Sequence, residues 1–272
     1  MVIFPRAKIN IGLRITGKRD DGYHNLETVF YPVRLCDALE FVVPEQPVKE
    51  DELACTGIAV DSDPEDNLVI KALRKMREYC DIPFIRIHLH KIIPSGAGLG
   101  GGSSDAAAFL KVLNRYFCFR LKEEELKKAA LELGSDCPFF IYDQPCFAEG
   151  RGEILTPVDK QPDGLHLIIL KPDIHVSTRD AFEGCMVSRR EDSLVSSYNA
   201  GMNRWRDRIG NDFEKTVFPK YPVIRELKEA LYKQGAIYSS MSGSGSAVYG
   251  IFAGKPGIPD DISKYVVYSG IL

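Results

Sequence analysis

The stretch Pro94-Ser95-Gly96-Ala97-Gly98-Leu99-Gly100-Gly101-Gly102-Ser103-Ser104-Asp105-Ala106-Ala107-Ala108 decides how this chain is read. Five glycines lie between residues 96 and 102, followed by two serines and an alanine-rich run. Glycine has no Cβ, so such a loop can take positive φ and let a ligand approach its backbone. Ser103, Ser104 and Asp105 suit a helix start, and Ala106 to Leu113 suit its body. A helix start offers unpaired N–H groups and the positive end of the dipole, which together make an anion site. The expectation is a loop that wraps a polyphosphate.

Other glycine-loop chemistries fit less well. Gly96, Gly98 and Gly101 satisfy GxGxxG, but a dinucleotide site needs an acidic residue closing the next strand about 20 residues on. The chain there reads Lys122-Glu123-Glu124-Glu125-Leu126-Lys127-Lys128, a helix. No lysine follows the last glycine, which excludes the P-loop NTPase motif, and no HRD or DFG follows, which excludes the protein-kinase loop. A flexible linker is not followed at once by a small-residue helix.

Upstream, Phe84 to Ile92 is a strand: Ile85, Ile87 and Leu89 alternate with Arg86, His88 and His90. It feeds straight into the loop, giving strand–loop–helix. His88 and His90 share a face, and with no third ligand nearby they read as a solvated strand face. Earlier still, Val2 to Ile15 reads as one strand, with Lys8 and Asn10 together on one side. Lys8 is either a solvated strand lysine or a paired one. Arg19-Asp20-Asp21-Gly22 is a turn leading into Tyr23-His24. Leu26–Leu35 and Ala38–Val43 read as strands, residues 44–53 as a surface loop, and 61–79 as a helix with acids first and bases last.

Downstream, Lys122–Leu133 is a helix stopped by Gly134. Asp136, two residues before Pro138, is either the cap of the next helix or a catalytic carboxylate. Glu149–Glu153 is a tight polar turn. Leu165–Leu170 is a buried strand, Ser177–Phe182 starts a helix in a capping-box pattern, and Asp192–Arg208 is mostly helical around Gly201. Pro222–Gln234 is a helix. Ala236–Ser240 and Ala247–Phe252 are strands about Met241–Ser246, a second Gly/Ser loop that also fits a plain hairpin connection. Tyr265–Tyr268 is a last strand.

At 272 residues the chain suits two domains, with a boundary near residues 159–164. Its 44% hydrophobic and 27% charged residues permit a real core. A net charge of −3 argues against a nucleic-acid surface. Seven scattered cysteines without a CxxC pair signal neither a disulfide framework nor a zinc site. No apolar run approaches the roughly 20 residues of a membrane span, and residues 1–6 do not open a signal peptide. A soluble cytoplasmic protein without nucleic-acid or membrane partners is expected.

Three stretches then combine. Ala7-Lys8-Ile9-Asn10, the loop from Pro94, and Ser242-Gly243-Ser244-Gly245 resemble the three motifs of the GHMP kinases, the family of galactokinase, homoserine kinase and mevalonate kinase. With Asp21-Gly22-Tyr23-His24 and Gly134-Ser135-Asp136-Cys137-Pro138-Phe139, the resemblance narrows to the branch acting on a cytidine-diphosphate-linked methylerythritol in the non-mevalonate isoprenoid route. It implies an α/β (α+β) chain of two domains, 1–158 and 159–272. The first would be like domain 2 of ribosomal protein S5 and the second ferredoxin-like. It implies ATP with Mg²⁺, and catalytic Lys8 and Asp136. ATP would be held by Pro94, Ser95, Gly96, Ala97, Gly98, Leu99, Gly100, Gly101, Gly102, Ser103 and Ser104, with Asn67 near adenine. Asn10, Tyr23, His24 and Phe182 would bind the substrate, and no protein ligand for the metal is assigned. Another GHMP kinase for homoserine or mevalonate, or a silent ATP-binding member, are the competing readings. The presence of both Lys8 and Asp136 lowers the last.

Overall fold

The computed structural model describes residues 1–59, 63–158, 162–185, 187 and 192–272. In chain order its elements are β1 (Val2–Ile3), β2 (Arg6–Lys18), β3 (His24–Cys36), β4 (Ala38–Val42), β5 (Glu52–Gly57), α1 (Leu68–Arg77), β6 (Arg86–Lys91), α2 (Gly101–Tyr116), α3 (Glu123–Leu133), α4 (Cys137–Tyr142), β7 (Cys146–Glu149) and β8 (Ile154–Pro157). They continue with β9 (His166–Leu170), α5 (Thr178–Glu183), α6 (Leu194–Asn199), α7 (Trp205–Arg208), α8 (Glu214–Lys220), α9 (Pro222–Lys233), β10 (Tyr238–Met241), β11 (Val248–Phe252), α10 (Asp260–Ser263) and β12 (Val266–Ile271).

The chain forms two compact units, one of Met1–Ala7, Leu35–Ser95 and Gly100–Gln144, the other of Lys8–Arg34, Gly96–Leu99 and Pro145–Leu272. This differs from a single cut after residue 158. The cause is packing of β2 on later residues: Leu13 N donates to Gly210 O at 3.0 Å and Ile15 N to Asp212 Oδ2 at 3.0 Å, which draws residues 8–34, with the strands they pair to, into the later unit. Residues 159–161, where the boundary was expected to begin, lie outside the described residues.

In the first unit the sheet order is β1-β4-β6-β5. β5 and β6 run parallel, and a parallel pair needs a crossover, which α1 supplies. Leu39, Phe41, Ile87 and Leu89 are buried on the inward face, with Phe109 of α2 edge-on to Phe41 at 5.7 Å. Arg86, His88 and His90 occupy the opposite, exposed face, where the Thr56 hydroxyl bonds His88 Nε2 at 2.8 Å and His90 Nδ1 at 2.9 Å. β5 is not legible in the sequence. Its residues are small and mostly exposed, with no apolar alternation, so pairing with β6 rather than burial makes it a strand.

In the second unit, β9 to β12 form an antiparallel sheet in the order β10-β11-β9-β12. Numbered by chain position that is 2-3-1-4, the ferredoxin-like arrangement. Ile168, Leu170, Val248 and Phe252 from this sheet pack with Leu13 and Ile15 of β2 and with Phe213, Leu227 and Leu231.

Local departures have local causes. Pro5 has no N–H to donate, and the expected strand 2–15 breaks there into β1 and β2. Of the helix expected over 61–79, residues 61–62 lie outside the described residues. Pro64–Asp66 is a 3₁₀ turn, and α1 begins only after Asn67, whose Oδ1 accepts from Val69 N at 2.9 Å. α2 starts two residues earlier than its serines imply, on Gly100 at φ +72°. Ser177 precedes α5 but makes no capping bond, so the capping box is not formed. The helix expected over 192–208 is broken into α6 and α7 at Gly201, whose φ is +103°.

Candidate active site

The loop's glycines are set by close backbone packing. Gly98 has φ +75°, and a Cβ there would run into the Ser242 carbonyl. Ser242 Oγ in turn donates to Gly98 O at 2.8 Å, and Ala247 N donates to Ala97 O at 3.2 Å. The Gly/Ser loop after β10 is therefore more than a hairpin connection: it is stitched to residues 96–99. Pro94, Ala97 and Leu99 are buried and Ser95, Gly96 and Gly102 are exposed, so the loop presents mainly backbone. The first N–H groups of α2 have no intrahelical acceptor, and the dipole makes that end positive.

Lys8 and Asn10 lie side by side on β2, as their spacing predicts. Lys8 is not solvated. It is buried, its Nζ donates to Asn10 Oδ1 at 2.6 Å, and it sits 5.0 Å from the centre of the Phe30 ring. Asn10 is itself fixed: its Nδ2 donates to Thr28 Oγ1 at 3.0 Å, and its backbone N donates to Ser242 Oγ at 3.2 Å. Lys8 N also donates to Leu99 O at 2.9 Å, which ties β2 to the glycine loop. The first and third motifs thus meet residues 96–99 of the second.

Asp136 belongs to the first unit, as does the start of α2. It precedes α4 at the cap position, yet its side chain makes no capping hydrogen bond. Burial pushes the thiol of the adjacent Cys137 up to about 12, against a hydrogen bond with Ser103 and aided by the charge of Asp136. The Cys137 thiol therefore lies against the first turn of α2, where Ser103 sits. Ser104 points inward and is buried.

Asn67 and Ser95 line an open cleft with Asp66, Leu68, Leu89, Lys91, Gly102 and Asp105. Its floor holds an ion cluster that sequence reasoning missed. Lys91 Nζ donates to Asp105 Oδ2 at 2.7 Å and to Asp37 Oδ2, and Asp37 Oδ1 accepts from Ile93 N at 2.8 Å. Burial pushes the Asp105 carboxyl up to about 7; Lys91 opposes that rise and Asp37 reinforces it. Burial alone would lower the Lys91 ammonium, but the two carboxylates outweigh it and hold Lys91 above its usual value. Asp105 is thus an interior residue of α2 bound to the end of β6, not part of the helix start. The signal was present: the alternation of Ile85, Ile87 and Leu89 puts Lys91 on the inward face, where an ammonium needs acids.

The aromatic candidates form two pairs. His24 stacks on Phe182 with ring centres 4.9 Å apart and planes 20° from parallel, and Phe182 meets Phe213 edge-on at 4.7 Å. Tyr23 is exposed, with the Arg151 guanidinium 4.7 Å from its ring centre. Among the described residues, no three His, Cys, Asp or Glu side chains gather into a metal site, and no helix is long and apolar enough to cross a membrane.

Comparison with known proteins fits this geometry. The model described as "GHMP kinases N terminal domain" matches residues 67–144, and "GHMP kinases C terminal" matches 198–263. The chain belongs to the GHMP kinase family. A Bacteroides thetaiotaomicron protein named 4-diphosphocytidyl-2-C-methyl-D-erythritol kinase is 50% identical over 260 residues, covering 96% of this chain and 95% of that one. A protein of the same name from Azobacteroides pseudotrichonymphae is 45% identical over 272 residues and the full length of both. A crystal structure titled 4-(cytidine 5'-diphospho)-2C-methyl-D-erythritol kinase superposes with a TM-score of 0.79 at 31% identity, covering 94% of this chain and 91% of that one. As a GHMP kinase the chain is an ATP-dependent small-molecule kinase, and Mg²⁺ is the usual companion of that nucleotide.

Proposed function

We propose that this GHMP kinase transfers the γ-phosphoryl group of ATP to the 2-position hydroxyl of 4-diphosphocytidyl-2-C-methyl-D-erythritol, in the non-mevalonate supply of isoprenoid precursors. Relatives bearing that name at 45–50% identity over nearly the whole chain support the substrate. The observation that supports the chemistry is the nearness of the Cys137 thiol, next in the chain to Asp136, to Ser103 in the first turn of α2. It supports a reading in which the Asp136 carboxylate works near the start of α2.

Phosphoryl transfer is mostly positioning and charge neutralisation. In this reading, backbone N–H groups from Pro94 to Ser104 hold the phosphates, and Asn67 lies at the adenine end beside the cleft. Asp136 accepts the proton of the attacking hydroxyl, a role worth about 10²–10⁴ in rate. The ammonium of Lys8 favours the ionised carboxylate and the developing alkoxide. Asn10 fixes that ammonium through its 2.6 Å bond. Bound magnesium supplies neutralisation of phosphate charge.

Tyr23, His24 and Phe182 receive the cytosine. Ring centres 4.9 Å apart leave no space for a base between His24 and Phe182, so the base stacks outside that pair or parts it. A cytoplasmic setting belongs to the same proposal. Assaying ATP turnover with 4-diphosphocytidyl-2-C-methyl-D-erythritol, homoserine and mevalonate separately tests it. Turnover confined to the cytidine-linked substrate is expected, and a preference for either of the others would overturn it.

A further inference from the structure

Arg151 and Tyr23 are brought together by two separately fixed turns. The turn Glu149–Glu153 doubles back through Gly150 and Gly152, at φ +69° and +112°. It docks on the start of β3, where Leu26 N donates to Gly150 O at 2.8 Å. Glu153 Oε2 locks it by accepting from Arg151 N at 2.5 Å. On the other side, Arg19 N donates to Tyr23 O at 2.8 Å, and Asp21 Oδ1 accepts from Tyr23 N at 3.0 Å. Neither turn depends on the Arg151 side chain.

The charge of Arg151 is not committed. Its guanidinium makes no hydrogen bond among the described residues, and its ion-pair contact is Glu153 Oε1 at 3.9 Å, beyond hydrogen-bond reach. Asp21 feels its field, but that carboxylate is held below the usual range first by the Tyr23 N–H. What orients the guanidinium is the Tyr23 ring, 4.7 Å away. A planar cation held by its face, with its fork of N–H donors unused, is arranged to take an anion in bidentate fashion.

We propose that Arg151 is a substrate-recognition residue that binds the diphosphate of the cytidine-linked substrate, with Tyr23 positioning it. This rests on the cytidine-diphosphate reading given above. Tyr23 then serves twice, covering Arg151 on one face and leaving the other for the base. The charge of the substrate, and not only its pyrimidine, is read in the second unit.

The test is calorimetric binding of CDP and of cytidine to the wild-type protein, Arg151→Ala and Arg151→Lys, with circular dichroism confirming that each is folded. Arg151→Ala should weaken CDP about 10- to 100-fold, the range of a lost charge-assisted hydrogen bond, and change cytidine by less than about twofold. Arg151→Lys should recover part of the loss, because it keeps the charge without the fork. In turnover, KM for the cytidine-linked substrate should rise by the same factor at nearly constant kcat. Equal losses for CDP and cytidine would overturn the proposal, as would CDP binding indifferent to both substitutions. A wild-type protein that does not bind CDP would overturn the cytidine-diphosphate reading itself, and this proposal with it.

Discussion

Replacing Asp105 with asparagine should flatten the pH dependence of stability between pH 5 and 8. The reason lies in the cleft floor, where two carboxylates share one ammonium. Asp105 Oδ2 accepts from Lys91 at 2.7 Å, while its Oδ1 is buried with no hydrogen-bond partner among the described residues. Burial, reinforced by Asp37, raises Asp105 from its ordinary 3.8 to about 7. A raised carboxyl means that between these values the folded protein holds a proton the unfolded chain has released. Stability is therefore lost as pH rises toward 7. A tenfold difference in proton affinity between the folded and unfolded chain is worth about 1.4 kcal/mol. Integrated from pH 5 to 8, the loss is roughly 2.5 kcal/mol. Asparagine cannot titrate, and its amide oxygen can still accept from Lys91. Lys91, raised from 10.5, loses its contribution only above the window. Asp21, Asp66 and Asp192, all lowered from 3.8, lose theirs only below it. His166, lowered from 6.5 by burial, contributes alike in both proteins and cancels from the comparison. Urea unfolding followed by circular dichroism at pH 5, 6.5 and 8 measures the effect. The stability of Asp105→Asn relative to wild type should improve by roughly 2–3 kcal/mol from pH 5 to 8. A difference that stays constant across that range would refute the assignment.

Three further substitutions probe the site. Asp136→Asn should cut kcat by about 10²–10⁴ while leaving ATP affinity nearly unchanged, read by steady-state kinetics and nucleotide titration. Near-normal turnover would reduce Asp136 to a residue that starts α4. Tyr23→Ala should raise KM for the cytidine-linked substrate far more than KM for ATP, because stacking of a base on an aromatic is worth roughly 1–3 kcal/mol. Gly98→Ala should lower Tm and raise KM for ATP. The added Cβ meets the Ser242 carbonyl, and the positive φ alone costs about 1–2 kcal/mol. A melting curve matching wild type would show that the loop packs differently.

Much of this was legible because the glycine loop carries its own geometry. Gly98 sits where no Cβ fits against Ser242, and Lys8 and Asn10 share a strand face by simple alternation. The ion cluster was hidden for a different reason. Asp37, Lys91 and Asp105 are each unremarkable in their own segments, and only tertiary packing brings them together. Capping signals misled at Ser177 and at the loop serines, because a glycine in the left-handed region at residue 100 starts α2 without any side-chain cap. β5 escaped because an exposed strand defined by its neighbour leaves no periodicity to read. The unit division escaped because β2 bonds and packs with residues near 210, far along the chain.

The most direct measurement is the ³¹P spectrum of the product formed from ATP and 4-diphosphocytidyl-2-C-methyl-D-erythritol by the purified protein. A new phosphomonoester resonance, with the diphosphate intact and one equivalent of ADP released, is the predicted result. ADP release without that resonance, or a phosphate carried by homoserine or mevalonate instead, would contradict the account.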